Sequence, residues 1–228
     1  MHILVLADEP VQRLWGGYGK DTLKAADLIL SAGDLPAAYL SYMTCFSSAP
    51  VVYVHGNHDE HYEQKAPDGC ICAEGHVIMV KGVRILGLGG SFRYKPGCPT
   101  MFSEQEMAAR IRRLRLELLR SRGFDILLTH SPVAGLGDEP DIPHRGFECF
   151  KPLLSRYRPA VMFHGHIHRA YNAMKFQRVR EWDGIPVINA CDSYEFDLPD
   201  DVLSREPRPS FLARRAMEKR AEPSNEHF

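Results

Sequence analysis

Short apolar runs recur along the chain, and most close on a polar residue or a glycine. They lie at 3–7 (ILVLA), 27–33, 51–56, 76–80, 83–90, 125–130, 160–166 and 185–190. Runs of this length bounded by turn residues suit strands buried on both faces. Helical patterns fall between several of them, over 21–26, 37–47, 104–122 and 147–157. The third is the clearest. Ser103 and Glu106 form a capping-box pattern, Met107, Ile111, Leu114 and Leu118 mark one face, and Gly123 suits the stop.

Strand–helix alternation predicts an α/β layered fold with functional groups at strand C-terminal ends. Asp183-Gly184, between two extended runs, is a hairpin signal, so antiparallel strands are expected to close the domain. From residue 198 the chain turns charged and proline-broken. The predicted division is a domain over 1–197 and a charged C-terminal tail over 198–228, partly helical or disordered.

Composition narrows the partners. A chain of 228 residues can bury a full core, and a net charge of -1 gives no global pull toward nucleic acid or anionic membrane. No run approaches the ~18 apolar residues that cross a bilayer, and the N-terminus lacks a basic leader. The six cysteines are scattered, and a chain of this size needs no disulfide framework. Cys70 and Cys72 read as small buried thiols rather than a zinc site. A reduced, cytoplasmic setting is expected.

The polar residues that end the strands form one set. Asp8 closes the first run, Asp34 follows SAG, and GNHD (56–59) closes the third. His130 closes ILLT, and GHIH (165–168) follows AVMFH. A lone buried histidine is usually a hydrogen-bonded core residue. Five elements in order, each at a strand end, instead bring carboxylates, imidazoles and an amide oxygen to one sheet edge, a donor set for Mn, Fe or Zn.

This ordered set resembles the calcineurin-like metallophosphoesterases, whose pattern runs D-x-H, G-D, G-N-H-[DE], a lone His, then G-H-x-H. The resemblance covers residues 1 to about 197, and the last four elements are intact. It implies a four-layer α/β fold, a β-sandwich of two mixed sheets flanked by helices. It also implies two divalent metal ions, manganese first among them, with Asp34 bridging. Asn57, His130 and His166 would complete one position, and Asp8 with His168 would hold the other. The implied reaction is hydrolysis of a phosphomonoester or phosphodiester by a metal-bound hydroxide. His58 would assist departure of the leaving oxygen, and Asp59 would orient its ring.

The first motif departs from the pattern, because Pro10 stands where a histidine ligand is usual. Proline has no imidazole and no N–H, and it pushes Glu9 toward an extended conformation. On an extended segment Asp8 and Glu9 point to opposite sides, although a bend would bring Glu9 round. The vacant coordination falls to Glu9, to Gln12 or to water, and the two metal positions are expected to differ in affinity.

Three loops are candidates for contacting a small phosphorylated substrate. The first, 12–21, offers Arg13, Trp15 and Tyr18, for stacking on a ring or for packing against the body. The second, 89–97, offers Arg93 and Tyr94 for a phosphate oxygen. The third, 131–150, starts beside His130 and is long enough to be functional, with His144 and Arg145 its candidates. Six arginines within 110–122 read as a solvated helix face, with a nucleic-acid groove the less favoured reading. A phosphatase or phosphodiesterase is the leading function. A nuclease, or a non-catalytic scaffold of the same fold that binds a protein partner, is the alternative.

Overall fold

Strand β1 (His2–Ala7) is apolar on both faces. Ile3, Val5 and Ala7 pack into one cluster, Leu4 and Leu6 into another, and all five are fully buried. Successive strand residues point to opposite faces, so a strand covered on both sides reads as a continuous apolar run. The computed structural model describes residues 1–16, 19–169, 176–204 and 209–223. Tyr18 lies outside the described residues.

After β1 come α1 (Lys20–Ala25), β2 (Leu28–Ser31), α2 (Ala37–Phe46), β3 (Val51–Tyr53), β4 (Ile71–Cys72), β5 (Val77–Val80) and β6 (Val83–Leu88). Then follow β7 (Ser91–Phe92), β8 (Met101–Phe102), α3 (Glu104–Arg113), α4 (Arg115–Ser121), β9 (Ile126–Thr129) and α5 (Phe150–Tyr157). The chain goes on through β10 (Val161–His164), β11 (Val179–Trp182), β12 (Ile185–Asn189), β13 (Asp192–Asp197), α6 (Asp200–Leu203) and α7 (Phe211–Arg220).

Two mixed sheets result, ordered β13-β1-β2-β3-β4 and β11-β12-β10-β9-β6-β5. The central strands of each run parallel, and β13, β11 and β5 are antiparallel edges. Ile3, Val5, Leu28 and Leu30 of the first sheet meet Ile85, Ile126, Leu128 and Phe163 of the second in a shared interior. The outer face of the first sheet is covered by Leu23 of α1 and by Tyr39, Leu40 and Met43 of α2. The second is covered by Met107 of α3, Leu118 of α4, Phe150 and Leu154 of α5, and Met217 of α7. The four-layer sandwich expected from the sequence is the fold observed.

Several details differ from the pattern. The segment expected as one helix over 104–122 is two, parted at Leu114. Its capping box is present, with Glu106 N–H donating to Ser103 Oγ and Ser103 N–H to Glu106 Oε2. Asp183-Gly184 does turn a hairpin, pairing Trp182 with Ile185. The segment after 197 places Leu198 and Val202 in the sandwich interior and Met217 against the second sheet. Buried Arg84 and Asp125 pair through two hydrogen bonds of 3.0 and 2.7 Å, tying β6 to the start of β9. All six cysteines are free thiols, and no helix among the described residues is long and apolar enough to cross a membrane.

Candidate metal centre

The parallel strands of both sheets end at one edge, and the chain turns sharply there. Asp8 follows β1 with φ 66°, Asp34 follows the turn after β2 with φ 58°, and His166 follows β10 with φ 71°. Left-handed backbone at non-glycine residues costs on the order of 1–3 kcal/mol each and gathers at functional sites. Half of the six residues expected to hold metal adopt it. Glycine makes their approach possible. A Cβ on Gly165 would stand 2.7 Å from Ala7 Cβ and 3.0 Å from Asp8 Oδ1, and one on Gly56 would run into the Asp34 carboxylate.

These turns converge the side chains. Asp34 Oδ1 accepts the His58 N–H at 2.8 Å, and Asp34 Oδ2 lies 3.4 Å from His130 Nε2. His130 Nδ1 donates to the Ala32 carbonyl at 2.7 Å, which aims Nε2 at Asn57 Oδ1, 2.9 Å away. His166 N–H donates to Asp8 Oδ1 at 2.8 Å, and His166 Nε2 donates to the Pro143 carbonyl at 2.6 Å. That second bond leaves Nδ1 with the lone pair. Donor atoms of Asp34, His130 and His166 all lie within 4.8 Å of one another. Ring nitrogens tied back to carbonyls in this way are typical of histidines that hold metal.

The residues fit a divalent cation. Asp8 Oδ2 is buried with no hydrogen-bond partner, a costly state that a cation would relieve. Burial pushes the Asp8 carboxyl above its ordinary range. Burial also acts upward on Asp34, but the His130 imidazolium beside it holds that carboxyl well below the usual range. Burial opposes charge on His130, yet Asp34 and then Asp8 outweigh it and push the ring up to about 9. Burial and the His130 charge hold His166 down to about 3, a neutral ring with a free lone pair.

His168 is brought to the same edge, where its Nδ1 lies 3.1 Å from Glu9 Oε1. His58 is exposed, and among the described residues its ring makes no hydrogen bond. Asp59 is buried, and its Oδ2 accepts the N–H groups of Gly56 and Asp34 at 2.7 and 2.8 Å, so it holds the two ligand loops together.

The substrate-loop candidates divide. The Tyr94 hydroxyl accepts from Asn57 Nδ2 at 3.3 Å, and the His144 ring packs 5.5 Å from the His166 ring. Both border the centre. Arg93 is engaged by Glu106 at 3.0 Å and by the Met101 carbonyl, and Arg145 lies over the Phe92 ring. Trp15 stacks on Tyr39, so it packs against the body. Arg110 pairs with Glu74 and donates to the Gly89 carbonyl. The Ala32 and Pro143 carbonyls had no sequence signal, because any residue carries one.

The chain matches the model of the calcineurin-like phosphoesterases over residues 9–170, a span holding Asp34, 56–59, His130 and 165–168. Among solved structures, TT1561 of Thermus thermophilus is 17% identical with TM-score 0.57, covering 84% of this chain and 89% of that one. Another solved chain is 11% identical with TM-score 0.62, covering 86% of this chain and 94% of that one. At such identities the likeness shows the fold alone. No curated protein matches in sequence. With the family match spanning well over half its length, the chain belongs to the calcineurin-like phosphoesterase family.

Proposed function

We propose that the protein hydrolyses a phosphomonoester or phosphodiester at a centre of two divalent metal ions, manganese first among them. The observation that carries this reading is the meeting of Asp34, His130 and His166 donors within 4.8 Å. Asp34 would serve both positions. Asn57, His130 and His166 would complete one, and Asp8, His168 and Glu9 the other. When bound, the two ions would supply Lewis acidity to the phosphoryl oxygens and make water acidic enough to attack near neutral pH.

The chain's own residues do the positioning. The Ala32 and Pro143 carbonyls fix the His130 and His166 rings, so the donor atoms need little rearrangement. Asp59 holds the loop carrying Asn57 and His58 against the Asp34 turn. His58 is anchored through its N–H to Asp34 while its ring stays free at the mouth of the site. An imidazole so placed can give a proton to the departing alkoxide. Tyr94 and His144 flank the entrance and are the nearest candidates for contacting substrate.

The test is turnover of p-nitrophenyl phosphate and its bis-ester by Mn²⁺-loaded protein, with His58→Ala as control. Turnover of at least one ester, reduced about 10²-fold or more by the substitution, is expected. No turnover of either, or turnover indifferent to His58, would defeat the reading and favour a binding scaffold.

A further inference from the structure

Beside the metal centre lies a cavity of about 170 Å³, walled by His168, His164, Asp138, Glu139, Gln177 and Arg180. His168 belongs to both. We propose that this cavity receives the organic part of the phosphoester, and that this part is a small alcohol carrying further hydroxyl groups. The assignment rests on the phosphoesterase reading above.

Arg180, on β11, carries the first observation. Among the described residues it has no ion pair, and its Nε is buried without an acceptor. A buried donor left unmet is destabilising, and it gains when a ligand oxygen completes it.

The second observation is convergence. A methyl group built on Gly137 would stand 3.3 Å from Arg180 Nε and 4.0 Å from His164 Nε2. The two side chains therefore close on one small volume in front of Gly137, whose φ of 90° carries the loop past them.

The sign of the remaining charge decides the ligand class. Asp138 and Glu139 line the same cavity, and the Asp138 carboxylate is fixed there by the N–H groups of Gly135 and Gly146 at 2.8 and 3.1 Å. A second anionic group on the substrate would meet these carboxylates as well as Arg180. Hydroxyls both donate and accept, so a polyol can satisfy the cation, the Gln177 amide and the carboxylates together. The volume equals on the order of five waters of liquid, which suits a short polyol rather than a polymer.

The experiment compares glycerol 1-phosphate with n-propyl phosphate, which lacks the two hydroxyls, and with phosphoglycolate, which carries a carboxylate. Full-length protein loaded with Mn²⁺ is expected to prefer glycerol phosphate to propyl phosphate in kcat/KM. Arg180→Met should reduce that preference about tenfold, chiefly through KM. An equal effect of the substitution on both esters, or no preference in the wild type, would overturn the subsite. Tighter use of phosphoglycolate would overturn the hydroxyl assignment.

The ¹⁵N resonance of the Arg180 Nε–H in Mg²⁺-loaded wild type gives a readout free of turnover and of any variant. It should move on adding glycerol phosphate and stay with propyl phosphate. If none of these three monoesters and neither p-nitrophenyl ester is turned over, the phosphoesterase reading fails. The resonance still decides the cavity, because a shift with glycerol phosphate alone supports it and an unmoved signal overturns it.

Discussion

Glu9 Oε1 lies 3.1 Å from His168 Nδ1, although the two residues are 159 positions apart. The contact exists because the chain bends at Asp8, where φ is 66° and the Glu9 N–H returns to the Ala7 carbonyl at 2.7 Å. An extended segment would have sent the Asp8 and Glu9 carboxylates to opposite sides. The bend instead sets a carboxylate oxygen beside His168, where the altered first motif offers no imidazole.

Glu9→Ala is expected to weaken the weaker of two Mn²⁺ positions about 10–100-fold and leave the stronger one little changed. Titration of metal-free protein followed by calorimetry reads both affinities. Equal effects on the two positions, or none, would remove Glu9 from the centre.

Gly165→Ala should cost about 1–3 kcal/mol of stability and also weaken metal binding. The added methyl would press on Ala7 Cβ and on both Asp8 oxygens, which are the floor of the site. Urea unfolding of the metal-free variant separates the two effects. Wild-type stability would contradict the packing described.

Asp125→Ala should be among the most damaging substitutions far from the centre. Asp125 and Arg84 are 2% and 5% exposed, and Arg84 Nη1 also caps the Ser121 and Arg122 carbonyls at the end of α4. Removing the carboxylate leaves a buried guanidinium charge uncompensated, at a cost of about 3–5 kcal/mol. A loss below ~1 kcal/mol in chemical denaturation would show that the pair is dispensable.

Acid should loosen the attachment of α7. Burial raises the Glu117 carboxyl, but hydrogen bonds from His76 and the Val77 N–H, with the Arg220 charge, hold it below its ordinary 4.5. A carboxyl depressed in the folded state contributes stability above pH 4.5 that is lost as pH falls through the folded value. Because Arg220 lies on α7 at 2.6 Å from Glu117, amide exchange in α7 should speed up below that pH. Glu117→Gln should show the faster exchange already at neutral pH. Identical α7 protection in the variant would contradict this.

The fold was legible where burial is two-sided. Strands β1, β2, β9 and β10 are apolar on both faces and declared themselves as unbroken runs. The two-residue strands β4, β7 and β8 are too short for any period. Strand β13 is an edge, half exposed, and its DSYEFD sequence reads as polar. The segment after 197 read as a charged tail because, among its described residues, only Leu198, Val202 and Met217 are fully buried. At the centre, the convergence of Asp34, His130 and His166 was readable from the strand ends. The bend at Asp8 was not, since Pro10 constrains only Glu9 and leaves the Asp8 dihedral open. Nor were the bonds from the Gly56 and Asp34 N–H groups to Asp59, because any residue carries a backbone N–H.

The most direct measurement is the Mn²⁺ stoichiometry and affinity of the metal-free protein, by calorimetry, alongside Asp34→Asn. Two ions per chain, one bound more weakly than the other, are expected, with both weakened by the single substitution, as the bridging role proposed for Asp34 requires. Two equally tight ions would contradict the unequal positions. No ion bound, or binding that Asp34→Asn leaves intact, would contradict the metal centre itself.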